Sequence, residues 1–238
     1  MSTVSIATAR ANALRRKAQR AARLPADLPQ GWSISPVSPM RVLGAFDTLR
    51  IKPDHALHAY CFRSGHDGNG VVFATRAHSP PPPPEQCQTL VDAFNAPRPP
   101  SALDHVMDAI EGDGSPLSYL SASLLHRELC EFAALWHGVS WGECQLLGKP
   151  PAQSRDNRGR RRTADNLQSS QWTWRHRDRE DWPPRVTHTE HGVEVRLHIF
   201  DPLGIERIYR VTDVFPLGRY TFTTHTLELA EGSMGRIF

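Results

Sequence analysis

Residues 186–212 read VTHTEHGVEVRLHIFDPLGIERIYRVT, and this stretch decides the fold. Val186 to Glu190, Val193 to Phe200 and Ile205 to Thr212 are short β-prone runs. His191-Gly192 and Asp201-Pro202-Leu203-Gly204 punctuate them with turn chemistry. Outward from it the rhythm continues: Pro216-Leu217-Gly218 precedes a run from Tyr220 to Leu227, and Trp172-Thr173-Trp174 lies upstream. Even spacing of this kind predicts an antiparallel meander. Five short strands cannot cover both their own faces, so they need a partner. The obvious one is a hairpin over 55–76, where Leu57, Ala59 and Cys61 alternate with His58, Tyr60 and Phe62. The glycines of Gly65-His66-Asp67-Gly68-Asn69-Gly70 supply its turn, and Val71 to Thr75 the return strand.

Between the two strand regions the period changes. Pro80–Pro84 reads as a rigid spacer. Cys87, Leu90, Val91 and Phe94 then share a helical face that Pro97 ends. Ser101 with Asp104 forms a capping-box pattern before Leu103, Val106, Met107 and Ile110, and Gly112 stops that segment. Ser115, with Pro116 at the first helical position, opens the longest helix, which runs toward Gly138. The expected fold is therefore α+β: an antiparallel meander or partly closed barrel with three inserted amphipathic helices. Its organisation is a basic flexible N-terminal arm (1–30), first strands plus the three-helix insertion (31–149), a disordered Arg-rich linker (150–170), and C-terminal strands completing the same domain (171–238).

Charge is segregated along the 238-residue chain. Of 28 basic residues only Lys17, Lys52 and Lys149 are lysines. Residues 1–26 and 155–162 together hold eleven basic residues against one acid, +10. Everything else holds 17 basic against 24 acidic residues, −7. An acidic body with basic segments predicts contact with an anionic partner, a protein assembly or a nucleic acid. Arg15, Arg16, Arg158, Arg160, Arg161 and Arg162 are the expected partner-binding residues.

Other classes drop out. No run approaches the ~18 apolar residues of a membrane-spanning helix. Cys61, Cys87, Cys130 and Cys144 form no C-x-x-C pair, which places the chain in a reducing compartment. The cytoplasm is expected, or a soluble organelle interior if the acid-free residues 1–24 are a transit segment. Nucleophile-elbow, phosphate-loop and zinc-protease signatures are missing, so no cofactor is implied and the balance leans away from an enzyme. His188 and His198 flank a turn without a closed ligand set, and no metal is assigned.

Glu128 is the anomaly. On the helix after Pro116, Leu117, Leu124, Leu125, Phe132 and Leu135 fall within about 60° of it. Such a carboxylate needs a partner or a proton. One expectation is a buried pair with a sheet arginine, Arg63 or Arg76, with Glu131 the less consequential neighbour. The other is a ligand-binding barrel or small enzyme whose cavity is lined by Glu128, Trp136, His137 and Trp141, with Glu128 and His137 as candidate catalytic groups. Trp172 and Trp174, beside Arg175, His176 and Arg177, read as a half-buried edge strand. The leading functional expectation is a non-enzymatic accessory or adaptor protein.

Overall fold

The computed structural model describes residues 1–76, 80–87, 96–136, 139–151, 172–176 and 181–237. Two strands dominate it: β10 (Gly192–Asp201) and β11 (Ile205–Pro216), paired antiparallel from Gly192↔Pro216 to Asp201↔Arg207. Around them β1 (Ser2–Ser5), β9 (Arg185–His188), β12 (Thr223–Met234) and β8 (Thr173–Trp174) extend the sheet in the order β1-β9-β10-β11-β12-β8. β7 (Gln145–Leu146) adds a short pairing to β10, completing a seven-stranded antiparallel sheet that curls as a half-barrel.

Val193, Val195, Leu197 and Ile199 of β10 turn to the inner face with Val211 and Phe215 of β11, and all are buried in the main core. Helix α3 (Pro116–Cys130) fills the hollow, packing on β9 and β10. It starts as the sequence implies: Pro116 is the first helical residue, and the Ser115 hydroxyl accepts from the Ser118 amide at 3.2 Å. On the outer face a smaller core forms from Trp182, Phe200, Ile208, Leu229 and Ala230, with the half-buried Trp172 and Trp174 against it.

The hairpin belongs to a second sheet. β4 (Ala56–Ser64) and β5 (Asp67–Thr75) pair in full register, and β2 (Gly31–Ile34) joins β4. The turn is tighter than the glycine spacing suggests: only Gly65 and His66 lie between Ser64↔Asp67, and Gly65 takes the positive φ of 59° that the turn requires. A third pairing links β3 (Leu49–Ile51) to β6 (Ile110–Gly112).

Four expectations are corrected. Among the described residues, the 171–238 strands do not pair with the 55–76 hairpin; the two lie in different sheets and share the main core, where Leu57, Ala59 and Ala74 join Val186, Val195 and Leu197. Of the three helices, one stands as drawn at its start: α3 ends at Cys130, where Glu131 has already left helical geometry at φ −106° and ψ 19°, and Ala133 and Trp136 beyond it adopt positive φ of 66° and 46°. The segment 101–112 is not an α-helix. It makes a single 3-10 turn, Val106–Ala109, capped by His105 Nδ1, which accepts from the Met107 amide at 3.1 Å, and then passes into β6. The helix expected at 87–97 falls mostly outside the described residues.

Finally, residues 1–30 are not a free arm. β1 is hydrogen-bonded along β9, and α1 (Thr8–Ala21) packs on α3, on the short α2 (Met40–Leu43) and on β7. Ala11, Arg15 and Ala18 are its buried stripe, spaced by four and three. Two small residues on that stripe let α1 sit close to α3, which no hydropathy pattern announced. Most of the 150–170 linker lies outside the described residues. Among those that are described, no helix is long and apolar enough to cross a membrane.

Candidate functional site

Arg15 and Glu128 meet where α1 crosses α3. The Arg15 Nε donates to Glu128 Oε1 at 3.3 Å, and both side chains are only 6% exposed. The rest of the guanidinium is consumed by the turn after α3: Nη1 donates to the Cys144 carbonyl at 2.8 Å and Nη2 to the Trp141 carbonyl at 2.6 Å. Its Cζ lies over the Trp141 ring, 3.8 Å from the ring centre, and the Trp141 Nε1 donates to Glu128 Oε1 at 2.8 Å. Burial pushes the Glu128 carboxyl above its usual range, and the Arg15 charge and the Trp141 donor oppose it. Burial likewise lowers Arg15, with Glu128 working against it. The cation in this pair comes from the N-terminal helix and not from the sheet. Arg63 instead donates to the Ala133 carbonyl at 3.1 Å, holding the chain just past α3.

Glu131 has a comparable load. Its Oε1 accepts from the Ser140 amide at 2.8 Å, the Ser140 hydroxyl at 2.6 Å and the Trp141 amide; Oε2 accepts from the Gly142 amide at 2.8 Å. This carboxylate caps the 140–142 turn and thereby aims Trp141 at Arg15. One helical turn earlier, Arg127 forms a two-pronged pair with the fully buried Asp213 of β11, at 2.7 and 3.0 Å, with Ser123 and Thr224 hydroxyls also donating to that carboxylate. Two ion pairs therefore tie α3 to its surroundings, one to α1 and one to the sheet.

The expected cavity residues part company here. Glu128 and Trp141 are in contact, and Arg15 occupies the space beside them. Trp136 is elsewhere: it is 47% exposed and its ring faces His66 at the hairpin tip, 6.2 Å between centres. His137 lies outside the described residues. A cleft of about 690 Å³ opens on a different side, between the 103–112 segment and Gly218–Thr221. It mixes Lys52, Arg76 and Arg219 with Asp104, Asp108 and Glu111, and Glu128, Trp136 and Trp141 take no part in its lining. At the β9–β10 turn His188 opposes Val193, so His188 and His198 project from opposite faces of the sheet. His198 is buried against Trp182, with ring centres 4.4 Å apart.

What the clamp leaves outside is a charged surface. Arg10, Arg16, Lys17 and Arg20 are exposed on α1, and Arg23 follows just beyond it. Lys17 reaches Asp47 at 3.2 Å, a solvent-exposed contact. The guanidiniums of Arg10, Arg16, Arg20 and Arg23 take no carboxylate among the described residues. Arg158, Arg160, Arg161 and Arg162 lie outside them. Of the arginines expected to bind a partner, Arg16 is thus presented and Arg15 is turned inward. Helical phase separates the two, but the dense run of basic residues around them hid it. Compared with known protein families, with curated proteins and with solved structures, the chain matches none.

Proposed function

We propose that this chain is a non-enzymatic accessory protein that docks an anionic partner through the basic face of α1. One observation carries the reading: Arg10, Arg16, Lys17 and Arg20 are exposed on a helix whose other side is locked to the body by the buried Arg15–Glu128 pair. A rigid row of cations loses less conformational entropy on docking than a free tail does. The acidic remainder of the chain, −7 outside the two basic segments, favours one orientation toward a negative surface. Arg158, Arg160, Arg161 and Arg162 add basic charge to the same chain.

Chromatography on immobilised heparin tests this. Arg16→Glu with Arg20→Glu is expected to elute at clearly lower salt than the native chain, with an unchanged thermal midpoint. Arg41→Glu with Arg219→Glu makes the same change in net charge at exposed positions elsewhere, and is expected to shift elution much less. Equal shifts for the two variants would mean that total charge, and not the α1 face, governs binding.

A further inference from the structure

We infer that the surface read by α1 is the phosphate backbone of a nucleic acid. The inference rests on the proposed docking face and assigns its partner class. The residues exposed on α1 are Ala9, Arg10, Ala13, Arg16, Lys17, Gln19 and Arg20. Four are cations, none is an acid, and none is an aromatic or large aliphatic residue. Protein partners are gripped through buried aromatic and large apolar anchors at the centre of the contact, with charge at the rim. This face has no such anchor. A phosphate backbone asks for none, because its binding is driven by cations displacing condensed counterions.

Geometry points the same way. At 100° per residue, Arg10, Arg16, Lys17 and Arg20 all fall within about 75° of the direction opposite the buried Ala11–Arg15–Ala18 stripe. Arg10 and Lys17 stand along one edge of that face and Arg16 along the other, about 10 Å separating Arg10 from Lys17 along the axis. Arg20 lies between the edges, one turn beyond Arg16. Ala9 and Ala13 lie between the edges at the N-terminal end, where a sugar-phosphate chain can approach the helix closely. Arginine supplies three of the four cations, and its planar fork matches two phosphate oxygens at once. A membrane surface is a poor fit, since the apolar side of α1 is already spent on α3 and unavailable for insertion.

The test is fluorescence anisotropy of the full chain with a labelled 24-base-pair DNA duplex, set against labelled poly-L-glutamate, from 50 to 200 mM salt. Contacts from Arg10, Arg16, Lys17 and Arg20 predict a log–log salt slope of about −3.5 for the duplex, on the order of a 100-fold loss over that range. Arg16→Gln with Arg20→Gln is expected to bring the slope to about −2, while Arg16→Lys with Arg20→Lys holds it near the native value. Poly-L-glutamate is expected to bind at least tenfold more weakly than the duplex. Equal affinity for the two polymers would overturn the nucleic-acid assignment and leave the docking face standing. A duplex slope unmoved by the glutamine variant would place the phosphate contacts away from α1 and overturn it as well. Failure to bind either polymer would remove both readings together.

Discussion

Glu128 finds its cation 113 positions away in the chain, and the physics of that residue sets the site. A lone carboxylate on an apolar helix face is costly, so the pair, and not either charge, is the stabilising unit. Glu128→Gln is expected to destabilise the protein by about 3 kcal/mol, because it leaves the buried Arg15 guanidinium without a counter-charge. Arg15→Met should cost a similar amount. The combined Arg15→Met, Glu128→Leu variant should cost far less than the two single changes added together, which denaturant melts in a double-mutant cycle will read. Strict additivity would show that the two groups do not act as a pair. Helical phase alone marks Glu128 as anomalous. It also makes Glu131 look incidental, and there it misleads, since the capping role of Glu131 comes from a turn that begins nine residues later.

At the level of elements, the chain just after α3 is laid onto β5. The Leu135 amide donates to the Gly68 carbonyl at 2.9 Å, and Arg63 holds the Ala133 carbonyl. Gly70 is what lets this segment come so close: a Cβ there would run into the Phe132 carbonyl oxygen and stand 2.8 Å from the Ala133 Cβ. Gly70→Ala is therefore expected to cost 2 to 3 kcal/mol, roughly the penalty for overpacking, although alanine is the better strand residue. Gly65→Ala, at an open turn with nothing within 4 Å, should cost only about 1 kcal/mol through its positive φ. Thermal melts of the two variants will rank them, and the reverse order would show that Phe132 and Ala133 yield freely. The start of α3 is legible because Ser115 and Pro116 act locally. The 3-10 turn and strand at 106–112 are not, because their apolar spacing suits a helix equally well, and the pairing of Ile110 with Ile51 decides between them.

Across the whole molecule, α1 serves two ends: its inner side completes the core and its outer side carries the charge. Deleting residues 1–26 removes β1 from the sheet edge, uncovers α3 and strands Glu128. That variant is expected to lose at least about 10 °C in thermal midpoint, from the stranded carboxylate and lost packing together. An unchanged midpoint would return these residues to the status of a free arm. By itself the sequence determined the strand-and-turn rhythm after residue 185, the β4–β5 hairpin, the cap of α3, the misplaced carboxylate and the segregation of charge. All of these follow from residues within a turn or two of one another, where period, propensity and capping act directly. Only the tertiary structure decided that the strands divide into separate sheets, that Arg15 turns inward while Arg16 stays out, and that the basic N-terminus is a docked helix. Each of those outcomes depends on which distant surface offers a cation, a carboxylate or room for an alanine stripe, and a linear pattern does not carry that information.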